Sequence, residues 1–166
     1  VLFRSGLHWQ GNPDVEQSLQ RGRSLPLGLL APVARLPGVR LLSLQRGFGE
    51  EQWRTCAFRS SFVEDQEELE AIREFVEIGA MASACDLIIS SDSALAHLVG
   101  ALDLPVWLLL KQVPDWRWGL QGDSTPWYRS MRLFRQQRNG DWPELVERLV
   151  QALQSEEPAG QPPATG

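Results

Sequence analysis

The stretch Asp86-Leu87-Ile88-Ile89-Ser90-Ser91-Asp92-Ser93-Ala94-Leu95-Ala96-His97-Leu98-Val99-Gly100-Ala101-Leu102-Asp103-Leu104-Pro105-Val106-Trp107-Leu108-Leu109-Leu110 decides the fold. Its two ends are short, continuous apolar runs, the pattern of strands buried on both faces, as in a parallel sheet covered by helices. Between them, Asp92 to Leu102 has the length and composition of a crossover helix, so the stretch reads as a β-α-β unit. Working toward the N-terminus, Val39-Arg40-Leu41-Leu42-Ser43-Leu44-Gln45 reads as another strand and Gly6-Leu7-His8-Trp9-Gln10 as the first. That first strand stops at the turn cluster Gly11-Asn12-Pro13, and a polar loop runs on to about Ser24. Leu25 to Leu36 has helical spacing, with Ser24 as N-cap and Pro26 in the first turn, where proline loses no hydrogen bond. Glu50 to Phe58 is expected as a short helix and Ser60-Ser61-Phe62-Val63 as a brief strand. Toward the C-terminus, a loop rich in Trp and Pro (112 to 130) leads to Met131-Arg132-Leu133-Phe134-Arg135 and then to an amphipathic helix from Asp141 to Gln154. The alternation predicts an α/β domain with a mainly parallel sheet.

Residues 64 to 77 carry seven acids against one arginine. Leu69, Ile72, Phe75, Val76, Met81 and Ala84 can form one helical apolar stripe, and the plainer reading of the charge run is a solvated helix face. The whole chain of 166 residues is 43% apolar and 22% charged, which suits one domain with a real core. A net charge of -5 with a pI near 5.1 gives no bulk attraction for polyanions, so nucleic acid is not the expected partner. Of the 16 basic residues all but Lys111 are arginine, a skew from which no function follows. Cys56 and Cys85 lack both a disulfide framework and zinc spacing, so they read as reduced core thiols in a cytoplasmic setting. No apolar run approaches the roughly 20 residues of a membrane helix, and no signal peptide is visible. Residues 1–6, opening on Val1-Leu2-Phe3-Arg4-Ser5, read as a truncation remnant or artefact; 7–154 read as the domain, and the Pro-rich segment 155–166 as a disordered tail.

Chemistry concentrates where the strand ending at Ser91 passes into the next helix. Free amides of a first turn, with the positive end of the helix dipole, form an anion site, and Ser93 and Ala94 are small enough to let a phosphate reach the backbone. Asp92 has a second reading as an N-cap, with no ligand involved. His97 lies five residues on, on a different face from Asp92, and a lone helical histidine is commonly structural.

The pattern Asp92-Ser93-x-x-x-His97-x-x-Gly100-Ala101 resembles the nucleotide-sugar-binding half of the heptosyltransferase-like (family nine) glycosyltransferases, especially bacterial proteins that place tetratricopeptide repeats before such a domain. Leu7-His8-Trp9-Gln10-Gly11-Asn12-Pro13, Arg23-Ser24-Leu25-Pro26-Leu27, Val39 to Gly47, Pro105 to Leu110, Pro114-Asp115-Trp116-Arg117-Trp118 and Ser124-Thr125-Pro126-Trp127-Tyr128 agree with it in order and spacing, over about residues 6 to 154. The resemblance implies a Rossmann-like three-layer α/β domain, the C-terminal half of a GT-B fold. It also implies a sugar-nucleotide donor as substrate, no metal or other cofactor, and an acceptor site and general base on a missing N-terminal domain. Ser93 and Ala94 are then the residues whose amides bind the donor diphosphate, with Asp92 near the sugar or phosphate and His97 beside them. Arg23, three residues before Pro26, is implied as the cation that pairs with the phosphates, a task that suits the planar guanidinium fork. Gln10, and Gln45 with Arg46, end strands where open α/β sheets bind ligands, so they are candidates to line the phosphate, ribose or base pocket.

Two departures from the family pattern stand out. Ser18-Leu19-Gln20-Arg21-Gly22 replaces an Asn-Asp-Arg run, and Lys111 stands where relatives often have proline. Among the seven tryptophans, Trp9, Trp107 and Trp142 are expected in or against the core, while for Trp116, Trp118, Trp127 and Tyr128 an acceptor-facing or domain-packing role competes evenly with simple loop anchoring. The implied function is the donor-binding part of a metal-independent glycosyltransferase, inactive as this chain alone; no Asp-x-Asp metal motif is present. A rival is a non-catalytic nucleotide-binding or assembly module of a tetratricopeptide-repeat protein. A dinucleotide oxidoreductase is disfavoured because Gln10-Gly11-Asn12-Pro13 replaces a G-x-G-x-x-G turn.

Overall fold

The computed structural model describes residues 3–19 and 22–155; the expected disordered tail, apart from Ser155, lies outside them. In chain order the elements are β1 (Phe3–His8), α1 (Pro13–Leu19), a 3-10 turn (Leu27–Leu30), α2 (Ala31–Ala34), β2 (Val39–Ser43), α3 (Gln52–Thr55), a 3-10 turn (Arg59–Ser61), α4 (Gln66–Leu69) and α5 (Phe75–Ser83). There follow β3 (Leu87–Ser91), α6 (Ala94–Ala101), β4 (Val106–Leu110), a 3-10 turn (Trp116–Trp118), β5 (Met131–Arg135) and α7 (Trp142–Ser155). The strands form one five-stranded sheet, order β2-β1-β3-β4-β5, with every pairing parallel. The expected α/β architecture is therefore observed.

Strand pleating splits the core into two layers. Leu7, Ile89, Trp107 and Leu109 face one side, where Val33 and Ala34 of α2 and Leu145, Val146 and Leu149 of α7 cover them. Ile88, Val106, Leu108 and Leu110 face the other, under Ile78 and Met81 of α5 and Leu95, Ala96 and Val99 of α6. Trp9, Trp107 and Trp142 are buried as expected. Cys56 and Cys85 are unpaired, and burial pushes the Cys85 thiol up to about 12, helped by Asp86.

Several elements depart from their sequence reading for identifiable reasons. The first strand starts at Phe3, so Phe3, Arg4 and Ser5, set apart above as a remnant, pair with β2, and Ser5 also with β3. It ends at His8 because the Trp9 and Gln10 amides donate to the Gln45 side chain (3.0 and 3.1 Å) instead of the ladder. The polar loop contains α1, whose signal was present: Asn12 Oδ1 accepts from the Asp14 amide (2.9 Å) and Pro13 opens the helix. Ser24 caps no helix, and only a 3-10 turn and α2 form over Leu27–Ala34. Phe62 makes an isolated bridge to Leu41 in place of a strand. The acidic segment is two helices, not one. Arg46 takes the carbonyls of Leu69 and Ile72 (2.8 and 2.7 Å), and Glu70 turns inward to accept from Trp53 Nε1 (2.9 Å) and from Arg54. Phe75 and Val76 of the supposed apolar stripe are exposed. Among the described residues no helix is long and apolar enough to cross a membrane.

Candidate functional site

Connections leave β1 toward β2 and β3 toward β4, so the chain diverges between two adjacent strands. In an open parallel sheet this opens a crevice at their carboxyl ends, the place where such folds hold ligands. His8, Trp9 and Gln10 follow from β1 at this crevice, and Ser91, Asp92 and Ser93 from β3.

On the β1 side the chain makes an excursion and returns. The Leu25 amide donates to the Trp9 carbonyl (3.0 Å), and the Gly11 amide to Ser24 Oγ (2.8 Å). Glu16 on α1 is buried and accepts from both the amide and the hydroxyl of Ser24. The same carboxylate lies 3.6 Å from Arg23 Nε, a buried nitrogen with no hydrogen bond of its own. Gly11 permits this approach, since a Cβ there would sit 2.9 Å from Glu16 Oε1 and 3.0 Å from Arg23 Nε.

On the β3 side, α6 is capped by Ser93, whose extended backbone and Oγ, 3.4 Å from the Ala96 amide, make it the N-cap. The capping role considered for Asp92 thus belongs to its neighbour. Asp92, buried, instead lines a cleft of about 90 Å³ with Arg23, Leu110, Lys111, Pro114 and Asp115. Two expected residues from distant segments, Arg23 and Asp92, therefore meet. Ala94 is exposed in the first turn of α6, and His97, three residues on, shares its face. His97 stacks on Trp118 (ring centroids 5.2 Å apart) and its Nδ1 lies 2.9 Å from the Tyr128 hydroxyl. Burial and then Arg117 lower its pKa, while Asp92 and Asp115 oppose them. Trp118 and Tyr128 are thus anchors of the loop, whereas Trp116 and Trp127 are exposed.

Gln10 and Gln45 are joined to each other. Gln45 is buried; its Oε1 accepts from the Trp9 and Gln10 amides and its Nε2 donates to the Gln10 and Phe48 carbonyls (both 2.7 Å). Its amide is fully used in bracing the end of β1. Arg46 is similarly committed to main-chain carbonyls. Gln10 Oε1 accepts from Gln52 Nε2 (2.8 Å).

Four residues outside the expected set contribute: Glu16, His8, Lys111 and Asp115. His8 ends β1 opposite Ser90, with Nδ1 3.3 Å from Ser91 Oγ. Burial, then the Arg23 and Arg46 cations, lower its pKa to about 4, so the ring is neutral at pH 7. Its signal was positional, as the last residue of a strand at the crevice. Nothing in the sequence brings Lys111 to Arg23; β3-β4 pairing does. The cleft thus brings together two cations, Arg23 and Lys111, and two carboxylates, Asp92 and Asp115, with Asp92 two residues before the start of α6.

No protein-family model matches the chain. Protein FlbA of Caulobacter vibrioides is 29% identical to it, over 89% of this chain and 24% of that protein. Two solved structures share its fold: E. coli heptosyltransferase WaaC with ADP, and E. coli ADP-heptose lps heptosyltransferase II. Each superposes with a TM-score of 0.61 at 15% identity over 92% of this chain, covering 43% and 46% of those chains respectively. The chain spans about a quarter of the length of the curated relative it matches and less than half of each solved structure. Its Rossmann-like α/β fold matches that of the GT-B heptosyltransferases.

Proposed function

We propose that this chain is the donor-binding, C-terminal half of a GT-B glycosyltransferase and holds the diphosphate of a sugar nucleotide between Arg23 and the start of α6. The observation that carries the reading is the meeting of Arg23 with Asp92 in one cleft at the divergence of β1 and β3. The ADP named with one of the similar structures supports a nucleotide as the ligand class. Arg23 and the amides of Ser93 and Ala94 oppose the charge that develops on the leaving diphosphate. His97 and Asp92 flank the phosphates or sugar, and Gln10 and Gln45 set the wall beside them. The chain's own cations supply the charge stabilisation that a metal ion supplies elsewhere. The acceptor site and general base belong to an N-terminal domain of a longer cytoplasmic protein, with tetratricopeptide repeats ahead of it, so this chain alone transfers nothing.

Calorimetric titration with ADP, UDP and GDP, without added metal, tests the reading. One diphosphate is expected to bind saturably, and Arg23→Ala to weaken it by roughly 10- to 100-fold, the worth of one or two charge-assisted hydrogen bonds. Absence of binding by every nucleotide, in this chain and in a longer protein, overturns the reading; sugar transfer by the 166-residue chain overturns its dependence on a second domain. A second reading is a non-catalytic nucleotide-binding or assembly module of a tetratricopeptide-repeat protein. Nucleotide binding without sugar transfer in the longer protein selects it.

A further inference from the structure

Electrostatic accounting within the cleft singles out one side chain. Of the cations in and around it, Arg23 lies against Glu16 at 3.6 Å, and Arg117 lies 3.2 Å from Asp115, whose Oδ1 also accepts from the Arg117 amide. These pairs leave Lys111 and Asp92 as the remaining charges that line the cleft. Lys111 is half-buried and its ammonium makes no ion pair or hydrogen bond with the described residues. Without it the cleft and its surroundings would be net negative, which disfavours any phosphate; with it the carboxylates are balanced and an ammonium is free to donate.

The main chain holds Lys111 in place. It directly follows β4, and Gln136, buried just past β5, fixes both neighbours: the Gln136 amide donates to the Leu110 carbonyl (2.9 Å), and the Gln112 amide to Gln136 Oε1 (3.3 Å). A cation whose backbone is fixed before the ligand arrives loses only side-chain freedom on binding. It approaches from the β4 side while Arg23 approaches from the β1 side, so the two cations flank the cleft at the end of β3.

We infer that Lys111 is a second phosphate-binding cation, which with Arg23 makes a two-sided clamp for the diphosphate of a nucleotide. The inference deepens the proposed donor site and rests on it. Pyrophosphate and ADP are the probes, with adenosine as the uncharged control, titrated calorimetrically into the wild-type chain and into Lys111→Gln, Lys111→Arg and Arg23→Ala.

Lys111→Gln is expected to weaken pyrophosphate about tenfold and to flatten the dependence of affinity on salt, as the loss of one cationic contact does. Lys111→Arg is expected to stay within about threefold of wild type, since the charge and its reach are kept. Any adenosine affinity should be unchanged by all three substitutions. Pyrophosphate affinity unchanged by Lys111→Gln but lowered by Arg23→Ala overturns this inference and leaves the donor site standing. Failure of the wild-type chain to bind either phosphate probe overturns this inference, and the donor site falls with it only where UDP and GDP also fail, in this chain and in a longer protein. Circular dichroism of each variant confirms the fold, and Lys111→Met, with a matched apolar stem, replaces the glutamine variant if that one unfolds.

Discussion

His8 shows how a single residue reports on the crevice. Its ring stays neutral down to about pH 4 in the folded chain because burial and the Arg23 and Arg46 guanidinium groups disfavour the imidazolium. An unfolded chain takes up that proton near pH 6.5. Between these values the unfolded state binds more protons, so stability falls as pH falls from 6.5 toward 4, by at most about 1.4 kcal/mol per unit and less where solvent screens the charge. Urea unfolding at pH 7 and pH 5 is expected to show this loss in the wild type and a smaller one in His8→Gln, which keeps a polar partner for Ser91. Equal losses in both would assign the pH dependence to carboxylates instead. His8 had only its place near the end of a strand to mark it, and Lys111 had nothing that placed it at the crevice. Each gains its surroundings from the neighbouring strand that parallel pairing supplies.

At the scale of elements, legibility followed burial. The β3-α6-β4 unit is buried on both sheet faces, so its apolar runs had one sensible reading, and its helix ends are set by Ser93 at the front. Ser93→Ala should therefore cost about 1 kcal/mol and Ser93→Gly only a few tenths, measured by denaturant unfolding. A larger loss from the glycine variant would mean that Ser93 does more than cap. Where long-range polar contacts decide the path, periodicity misled. Arg46 and Glu70 interrupt what looked like one helix, and Gln45, a candidate for ligand contact, spends its amide on the β1 terminus. Arg23 and Asp92, by contrast, were legible as candidates through a family pattern, and the fold brings the two to one cleft.

For the whole molecule, a ligand seated at the crevice touches the ends of β1, β3 and β4 together, so its binding free energy is linked to the folding of the entire sheet. At a nucleotide concentration 100 times its dissociation constant, mass action adds about 2.7 kcal/mol, which for a domain of this size raises the melting temperature by roughly 5–10 °C. A thermal-shift series with ADP, UDP and GDP should rank the bases in the same order as calorimetry. Melting that ignores all three nucleotides at such concentrations would separate the crevice from any nucleotide site.

The excursion between β1 and the Leu27–Leu30 turn is pinched shut at its neck by the Trp9–Leu25 and Gly11–Ser24 hydrogen bonds. Arg23 stands at that neck, so its position is counted backward from Leu25 and not forward from the strand. Residues inserted or lost farther out on the loop add only the slowly growing entropy of a longer closure, about 0.6 kcal/mol per doubling. The outer loop is thus a region where length and sequence can change while Arg23 keeps its address.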